Sequence, residues 1–89
     1  MPFVYILRCA DGSLYTGIAK NVLLRLERHR QGKASKYTRA RLPVALVWKR
    51  RLLSWSRCLQ EELRIKSLTR AQKDALLARA RRRGRARQR

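Results

Sequence analysis

The chain is 89 residues long and carries 24 lysines and arginines against 5 aspartates and glutamates, which gives a formal net charge of +19. Such a chain forms one domain that buries only about 60–65% of its unfolded surface, and its self-repulsion favours a polyanionic partner, with nucleic acid expected first. An acidic membrane surface is the weaker alternative, because no stretch approaches the roughly 20 apolar residues of a spanning helix. The N-terminus lacks the features of a signal peptide, so we expect a cytoplasmic protein.

The apolar pattern predicts three strands and three helices. In chain order they are strands 2–9 and 14–18, a helix 21–32, a strand 44–53, and helices 54–68 and 69–80. A polar, cationic loop, 33–43, joins the first helix to the third strand. Residues 81–89 have no apolar spacing and are rich in arginine, so we expect a disordered tail after a domain that ends at residue 80.

Capping residues mark the ends of the predicted helices. Asn21 is suited to cap the N-terminus of the first helix, and Gly32 is suited to end it. Thr69 and Gln72 form a capping-box pair at the start of the last helix.

The two cysteines, Cys9 and Cys58, are far apart in sequence and form no C-x-x-C pair. Together with His29, the single histidine, they supply too few ligands for a zinc site and too few partners for a disulfide framework. We therefore expect two buried apolar thiols.

The first two strands carry two phenols, Tyr5 and Tyr15, and the loop length decides whether these share a face. A two-residue loop places them on opposite faces, because side chains alternate along a strand. A three-residue loop, 10–12, with Gly12 in the left-handed position pairs Tyr5 with Gly17 and brings both phenols to one face. Gly17 would then leave space for the Tyr5 ring and let a ligand approach the backbone. Both tyrosines also fit ordinary half-buried strand positions.

The helix 54–68 has an apolar stripe that we expect to face inward. Its members fall within an arc of about 160° and are Trp55, Cys58, Leu59, Leu63 and Ile65. Glu62 lies near the middle of this arc, whereas Glu61 is expected to point elsewhere. A carboxylate on an inward stripe loses hydration, so Glu62 needs either an arginine partner or a divalent metal ion.

On the first helix, Arg25 and His29 are four residues apart and flank the apolar stripe of Val22 and Leu26. Taken alone, each fits a solvated surface residue better than a catalytic one. The position of Arg25 beside the buried face distinguishes it from the other arginines of the helix.

These residues together resemble the GIY-YIG endonuclease superfamily, in particular its small stand-alone bacterial branch. The resemblance rests on a strand tyrosine, a short hairpin, Tyr-x-Gly, an Asn-led helix with R-x-x-x-H, and a helix with one Glu before "LRIKSLTRAQK". It covers about residues 2–78. It implies a nuclease domain over 1–80 with an α+β fold in the order β-β-α-β-α-α, in which three helices flank a small three-stranded antiparallel sheet.

The two tripeptides that name the superfamily are altered in this chain. The first ends at Tyr5, with Phe and Val at 3–4 in place of Gly and Ile. The second is Tyr15-Thr16-Gly17, with Thr16 in place of isoleucine. Both phenols and Gly17 are kept, so the chemistry that the resemblance implies is retained.

The resemblance also assigns roles to residues outside the hairpin. Arg25 matches the family's catalytic arginine, Glu62 matches its metal-binding glutamate, and His29 and Tyr37 match its accessory positions. The asparagine found near the end of some members has no counterpart that we can place.

The implied activity is hydrolysis of phosphodiester bonds in DNA with one Mg²⁺ or Mn²⁺ ion. This reaction needs an activated water and neutralisation of the charge that develops on the phosphate. A metal ion on Glu62 and the bidentate fork of Arg25 suit the second need. Because nearby cations can lower the pKa of a phenol, Tyr5 or Tyr15 is the expected general base, and His29 is a second base or orients a tyrosine.

The loop 33–43 interleaves cations with one aromatic ring, a composition suited to phosphate contacts and base stacking. The residues expected to contact nucleic acid are Lys33, Lys36, Tyr37, Arg39 and Arg41. A solvated cationic loop is the plainer interpretation. The arginine-rich tail should add non-specific affinity that falls with salt.

A second hypothesis is a basic protein without catalytic activity that binds RNA or associates with the ribosome. The small size and the charge of +19 suit it equally well. Glu62 discriminates between the two, because a protein that only binds has no need of a carboxylate among apolar neighbours. A hydrolase of small molecules is poorly served by such an open cationic surface.

Overall fold

A computed structural model describes residues 1–87, and it describes the side chains of residues 1–82. The three strands are β1 (Phe3–Arg8), β2 (Leu14–Ala19) and β3 (Ala45–Arg51). The helices are α1 (Val22–Arg30), α2 (Lys36–Arg39), α3 (Trp55–Lys66) and α4 (Arg70–Arg87). The expected α+β fold is confirmed, with a short extra helix, α2, inside the region predicted as a loop.

The three strands form one antiparallel sheet in the order β2-β1-β3. Tyr5 pairs with Gly17 and Leu7 pairs with Tyr15, which is the register that a three-residue hairpin loop requires. Gly12 has a φ of 84°, a left-handed conformation that suits glycine. The predicted register, with both phenols on one face of the sheet, is therefore confirmed.

The sheet separates two apolar clusters, because successive residues of β1 point to opposite faces. One cluster comprises Tyr5, Leu7, Cys9, Ala19, Val22, Leu26 and Val44. The other comprises Val4, Ile6, Cys58, Ile65 and Leu77. Helix α1 contributes to the first cluster, and α3 and α4 contribute to the second. The cysteines are free and buried, as expected, and they belong to different clusters.

The predicted caps hold the ends of the helices. The Asn21 side chain accepts a hydrogen bond from the Leu24 backbone N–H at 3.0 Å. At the start of α4, Thr69 and Gln72 exchange reciprocal hydrogen bonds of 2.9 and 3.2 Å, which completes the predicted capping box. Gly32 has a φ of 75° just beyond α1, in agreement with its predicted role.

Helix α3 is rotated relative to the prediction. Its buried residues are Cys58, Glu61 and Ile65, whereas three members of the expected inward stripe are exposed. These three are Trp55 at 46%, Leu59 at 44% and Leu63 at 68% exposure. The helix face that carries Cys58 and Ile65 packs on β1 and β2. The exposed apolar residues of α3 lie to one side of this face, so the stripe predicted from the sequence is centred on the wrong residues.

Helix α4 continues to Arg87, whereas the sequence predicts a disordered tail from residue 81. Alanine and arginine have high helix propensity and no proline interrupts the segment, so backbone hydrogen bonding continues beyond Ala80. Residues 88–89 of the expected tail lie outside the described residues. Within the part of the chain that is described, no helix is long and apolar enough to cross a membrane.

Candidate active site

Tyr5 and Tyr15 stand on the face of the sheet that α1 covers. Gly17 faces Tyr5 across the hairpin, and a Cβ atom built on Gly17 would lie 2.5 Å from the Tyr5 hydroxyl oxygen and 2.6 Å from Cζ. The Tyr5 ring therefore fills the space that the missing side chain leaves, as the sequence predicts. Tyr5 is 2% exposed, whereas Tyr15 is half-buried and accessible to water.

His29 connects the two phenols. Its Nε2 lies 2.8 Å from the Tyr5 hydroxyl, and its Nδ1 lies 2.8 Å from the hydroxyl of Thr38 on α2. The Tyr15 ring packs edge-on against the imidazole with a centroid distance of 5.2 Å. At 1% exposure, His29 is an internal residue hydrogen-bonded to Tyr5, so the solvated surface position considered for it is wrong.

An aromatic and cationic stack continues from Tyr15 toward the surface. Tyr37 stacks on Tyr15 with a centroid distance of 6.1 Å, and the Arg41 guanidinium lies 3.8 Å from the centre of the Tyr37 ring. Arg41 is also held by the Asp11 carboxylate at 3.1 Å and donates to the Tyr37 carbonyl at 3.0 Å. Ser35 caps α2 and accepts from the Tyr37 backbone N–H at 3.1 Å, which fixes the start of this segment.

Three further groups lie close enough to the Tyr5 phenol to act on it electrostatically. Burial raises the pKa of Tyr5 above its ordinary value, the nearby Tyr15 and Glu62 raise it further, and Arg25 lowers it. Burial likewise lowers the pKa of His29, with Arg25 acting in the same direction. Three of the residues singled out from the sequence, Tyr15, Arg25 and Glu62, thus lie within electrostatic reach of the Tyr5 phenol.

The direction of the Tyr5 shift contradicts one expectation. Surrounding cations were expected to lower the pKa of whichever tyrosine acts as base, but for Tyr5 the cost of burying a phenolate exceeds the effect of Arg25. Tyr5 is therefore protonated at neutral pH. Its hydroxyl is suited to positioning, and Tyr15 is the phenol that solvent can reach.

The two neighbouring glutamates of α3 have different surroundings, and the expectation for Glu61 is wrong. Glu61 is buried at 7% exposure and is paired with Arg64 and, at 2.7 Å, with Arg50. The hydrogen bond from Arg64 lowers the pKa of Glu61, and the charges of both arginines act in the same direction. Glu61 is thus the inward carboxylate that arginines neutralise.

Glu62 is the glutamate of α3 whose charge raises the pKa of the Tyr5 phenol. Its side chain is 19% exposed, and one oxygen lies 3.5 Å from the Lys66 ammonium, an i,i+4 pair. Among residues 1–82, no group of three His, Cys, Asp or Glu side chains could hold a metal ion. A single carboxylate fits Mg²⁺, which commonly binds through one or two carboxylates and completes its shell with water and substrate phosphates.

Of the five residues expected to contact nucleic acid, Lys33, Lys36 and Arg39 are exposed, as is Tyr37 at 38%. The intramolecular contacts of Arg41 give it a structural role on the hairpin side of the loop. The sequence reasoning missed Thr38, because a buried threonine in a four-residue helix has no periodic signal. The one signal for Thr38 in the sequence is its position directly after Tyr37, which the resemblance assigns to the site.

Comparisons with known proteins match most of this chain. A family model, the GIY-YIG catalytic domain, matches residues 1–75. UPF0213 proteins from Staphylococcus aureus strains Mu3 and Mu50 are each 48% identical over 75 residues, which is 84% of this chain and 92% of the relative. The solution NMR structure of a UPF0213 protein from Bacillus halodurans is 40% identical, with a TM-score of 0.58, over 88% of this chain and 84% of that chain. The matched region contains every side chain of the candidate site.

Proposed function

The chain belongs to the GIY-YIG catalytic domain family, and from this premise we propose that it is a metal-dependent endonuclease that hydrolyses phosphodiester bonds in DNA. The observation that supports the proposal most is the placement of Tyr15, Arg25 and Glu62 within electrostatic reach of the Tyr5 phenol. A base, a phosphate-binding cation and a metal-binding carboxylate are the groups that this hydrolysis requires.

Tyr15 is the general base of the proposed reaction. It is more exposed than Tyr5, which is buried and keeps its own proton because of its raised pKa. The contacts of the Tyr15 ring with His29 and Tyr37 fix the direction of its hydroxyl. In its phenolate form, Tyr15 accepts the proton of the attacking water, the oxygen of that water forms the new bond to phosphorus, and the leaving oxygen departs and takes a proton from solvent.

Arg25 binds the scissile phosphate. It is exposed on α1, and its charge lowers the pKa of both Tyr5 and His29, so a phosphate bound to it would lie within electrostatic reach of Tyr5. A guanidinium presents two parallel N–H donors to a phosphate, and it stabilises the negative charge that increases in the transition state.

Glu62 would hold one Mg²⁺ or Mn²⁺ ion, which when bound would supply charge neutralisation at the phosphate and the leaving oxygen. In the free protein, the Lys66 ammonium forms an ion pair with the Glu62 carboxylate at 3.5 Å. This pair is loose and partly exposed, so an incoming cation can replace it at low cost.

Nucleic acid binds along the cationic surface beside the site. Lys33, Lys36 and Arg39 contact phosphates, and the exposed face of Tyr37 supports an unpaired base. The net charge of +19 draws the polyanion to this surface without selecting a base sequence.

Cleavage assays test this proposal. Purified protein is incubated with plasmid, flap and fork DNA and with RNA of matched sequence, in Mg²⁺ or in EDTA. We expect Mg²⁺-dependent cleavage of DNA that Arg25→Ala abolishes and that Arg28→Ala, a change of an exposed arginine on the same helix, leaves intact. Cleavage that survives Arg25→Ala would indicate a contaminating nuclease and would contradict the proposal, and cleavage of RNA alone would contradict its substrate.

The second candidate is a protein that binds RNA or the ribosome without cleaving it. The charge of +19 and the pairing of Glu62 with Lys66 favour it, since that carboxylate already has a structural partner. The candidates differ in the effect of Glu62→Gln, which a purely binding protein should tolerate in every assay.

A further inference from the structure

Thr38 lies on α2 behind the candidate site, and its side chain does not reach the solvent. It is 0% exposed, and its hydroxyl faces His29 Nδ1 at 2.8 Å. We propose that Thr38 is a positioning residue that holds His29 as the neutral tautomer with its proton on Nδ1, so that Nε2 accepts the hydroxyl proton of Tyr5. The functional part of this inference rests on the proposed nuclease activity.

The direction of the hydrogen bonds from Tyr5 through His29 to Thr38 follows from the acceptor at the end of this series, the Ser35 carbonyl. The Thr38 hydroxyl donates to the Ser35 carbonyl at 3.3 Å, and a carbonyl oxygen has no proton to give. With its single proton used in this way, the Thr38 oxygen is an acceptor toward Nδ1, which must then carry a hydrogen. The other nitrogen of a neutral imidazole is an acceptor, and Tyr5 donates to it at 2.8 Å.

The opposite direction leaves the Tyr5 hydroxyl proton without an acceptor. If Nε2 carried the proton and donated to Tyr5, Thr38 would have to donate to Nδ1, and the Ser35 carbonyl would keep only the Arg39 backbone N–H at 3.0 Å. The Tyr5 hydroxyl proton would then need a new acceptor at a residue that is 2% exposed. A doubly protonated imidazole has the same fault, and burial and Arg25 both disfavour it.

This arrangement links the cationic loop to the phenols. Ser35 and Thr38 bracket Tyr37 on α2, and His29 contacts Tyr5 by a hydrogen bond and Tyr15 by its ring. Without the threonine hydroxyl, His29 is free to take the other tautomer, whose Nε2–H would meet the Tyr5 hydroxyl donor to donor. The imidazole or the phenol must then turn, and the surface on which Tyr15 rests changes.

The tautomer can be measured directly, because His29 is the single histidine of the chain. Long-range ¹H–¹⁵N correlation spectra at mildly alkaline pH distinguish a protonated Nδ1 from a protonated Nε2. We expect a protonated Nδ1 and an unprotonated Nε2 in the unmodified protein. A protonated Nε2 would overturn the proposal, whatever the activity of the protein, and this measurement does not require any variant to fold.

Variants test the role of the hydroxyl itself. Thr38→Val keeps the shape and should give a mixture of tautomers or the reversed one, and Thr38→Ser should restore the original signal. Thr16→Val, a buried threonine of β2, is the matched control and should leave the tautomer unchanged. An unchanged tautomer in folded Thr38→Val would overturn the proposal.

The catalytic consequence has its own measurement. We expect Thr38→Val to lower kcat by roughly 10- to 100-fold, in the range seen when supporting partners of site residues are removed, with little change in KM, and Thr38→Ser to recover most of it. Equal kcat values in the wild type and in Thr38→Val with a changed tautomer would contradict the catalytic part. Absence of cleavage in the wild type would instead contradict the proposed function and leave the tautomer result standing.

Discussion

Replacement of Gly17 by alanine tests how closely the two hairpin strands fit at the site. The new Cβ would lie 2.5 Å from the Tyr5 hydroxyl oxygen, and the ring cannot move away because it is buried and bonded to His29. Overpacking of this kind costs about 1–3 kcal/mol, and the lower chain entropy of alanine returns about 0.4–1 kcal/mol. We expect Gly17→Ala to lower the free energy of unfolding by about 1–2 kcal/mol and Tm by roughly 5–15 °C.

A double-mutant cycle in urea separates this steric effect from other costs. In a Tyr5→Val background, the alanine meets empty space, so Gly17→Ala should become neutral or stabilising. Gly12→Ala is the matched control: no atom lies within 4 Å of its new Cβ, and its cost comes from a φ of +84°. That cost should be the same in both backgrounds. If Gly17→Ala lowered the free energy of unfolding equally with and without the Tyr5 ring, the steric explanation would be refuted.

Three further predictions concern the charges. Glu61→Gln should lower the free energy of unfolding by about 1–2 kcal/mol, because it weakens charge-assisted hydrogen bonds to Arg50 and Arg64, whereas Glu62→Gln should change it by less than about 0.5 kcal/mol; urea denaturation measures both. The lowered pKa of Glu61 stabilises the fold above its unfolded pKa of about 4.3, and this contribution is lost as the pH falls through the lower folded value, so Glu61→Gln should flatten stability against pH in acid; an unchanged slope would contradict the pairing. Lys36→Ala should reduce the slope of log affinity for DNA against log salt by about 1; an unchanged slope would remove Lys36 from the interface.

The hairpin and the capped helix ends could be predicted from the sequence because local chemistry determines them. A three-residue loop with a left-handed Gly12 fixes the register, and the register brings Tyr5 opposite Gly17. Capping residues such as Asn21 act within one turn of their own helix, so their effect is visible in a short stretch of sequence.

The orientation of α3 could not be predicted in the same way. Its apolar residues cover more of the helix than the sheet can bury, and the sheet selects the line through Cys58 and Ile65. That selection leaves Leu63 exposed and buries Glu61 between arginines. The pattern locates the apolar side of a helix, but the packing partner decides which residues are buried.

The surroundings of His29 depend on contacts between segments that are distant in sequence. Tyr5 is 24 residues from His29, and Thr38 is 9 residues away on a four-residue helix that the sequence presents as a loop. Burial, which no single residue reveals, also reverses the expected direction of the Tyr5 pKa. The sequence therefore indicates the members of the candidate site but leaves their protonation states open.

The single-turnover rate of DNA cleavage by Glu62→Gln, compared with the wild type at protein concentrations that saturate binding, tests the nuclease account most directly. Glu27→Gln, an exposed glutamate on α1, is the matched control. The account predicts Mg²⁺-dependent cleavage by the wild type and the control, and a rate for Glu62→Gln that is lower by roughly 100-fold or more with unchanged affinity, since a removed electrostatic group costs about 10²–10³ in rate. Equal rates in the wild type and Glu62→Gln, or a wild type that binds DNA and never cleaves it, would contradict the account.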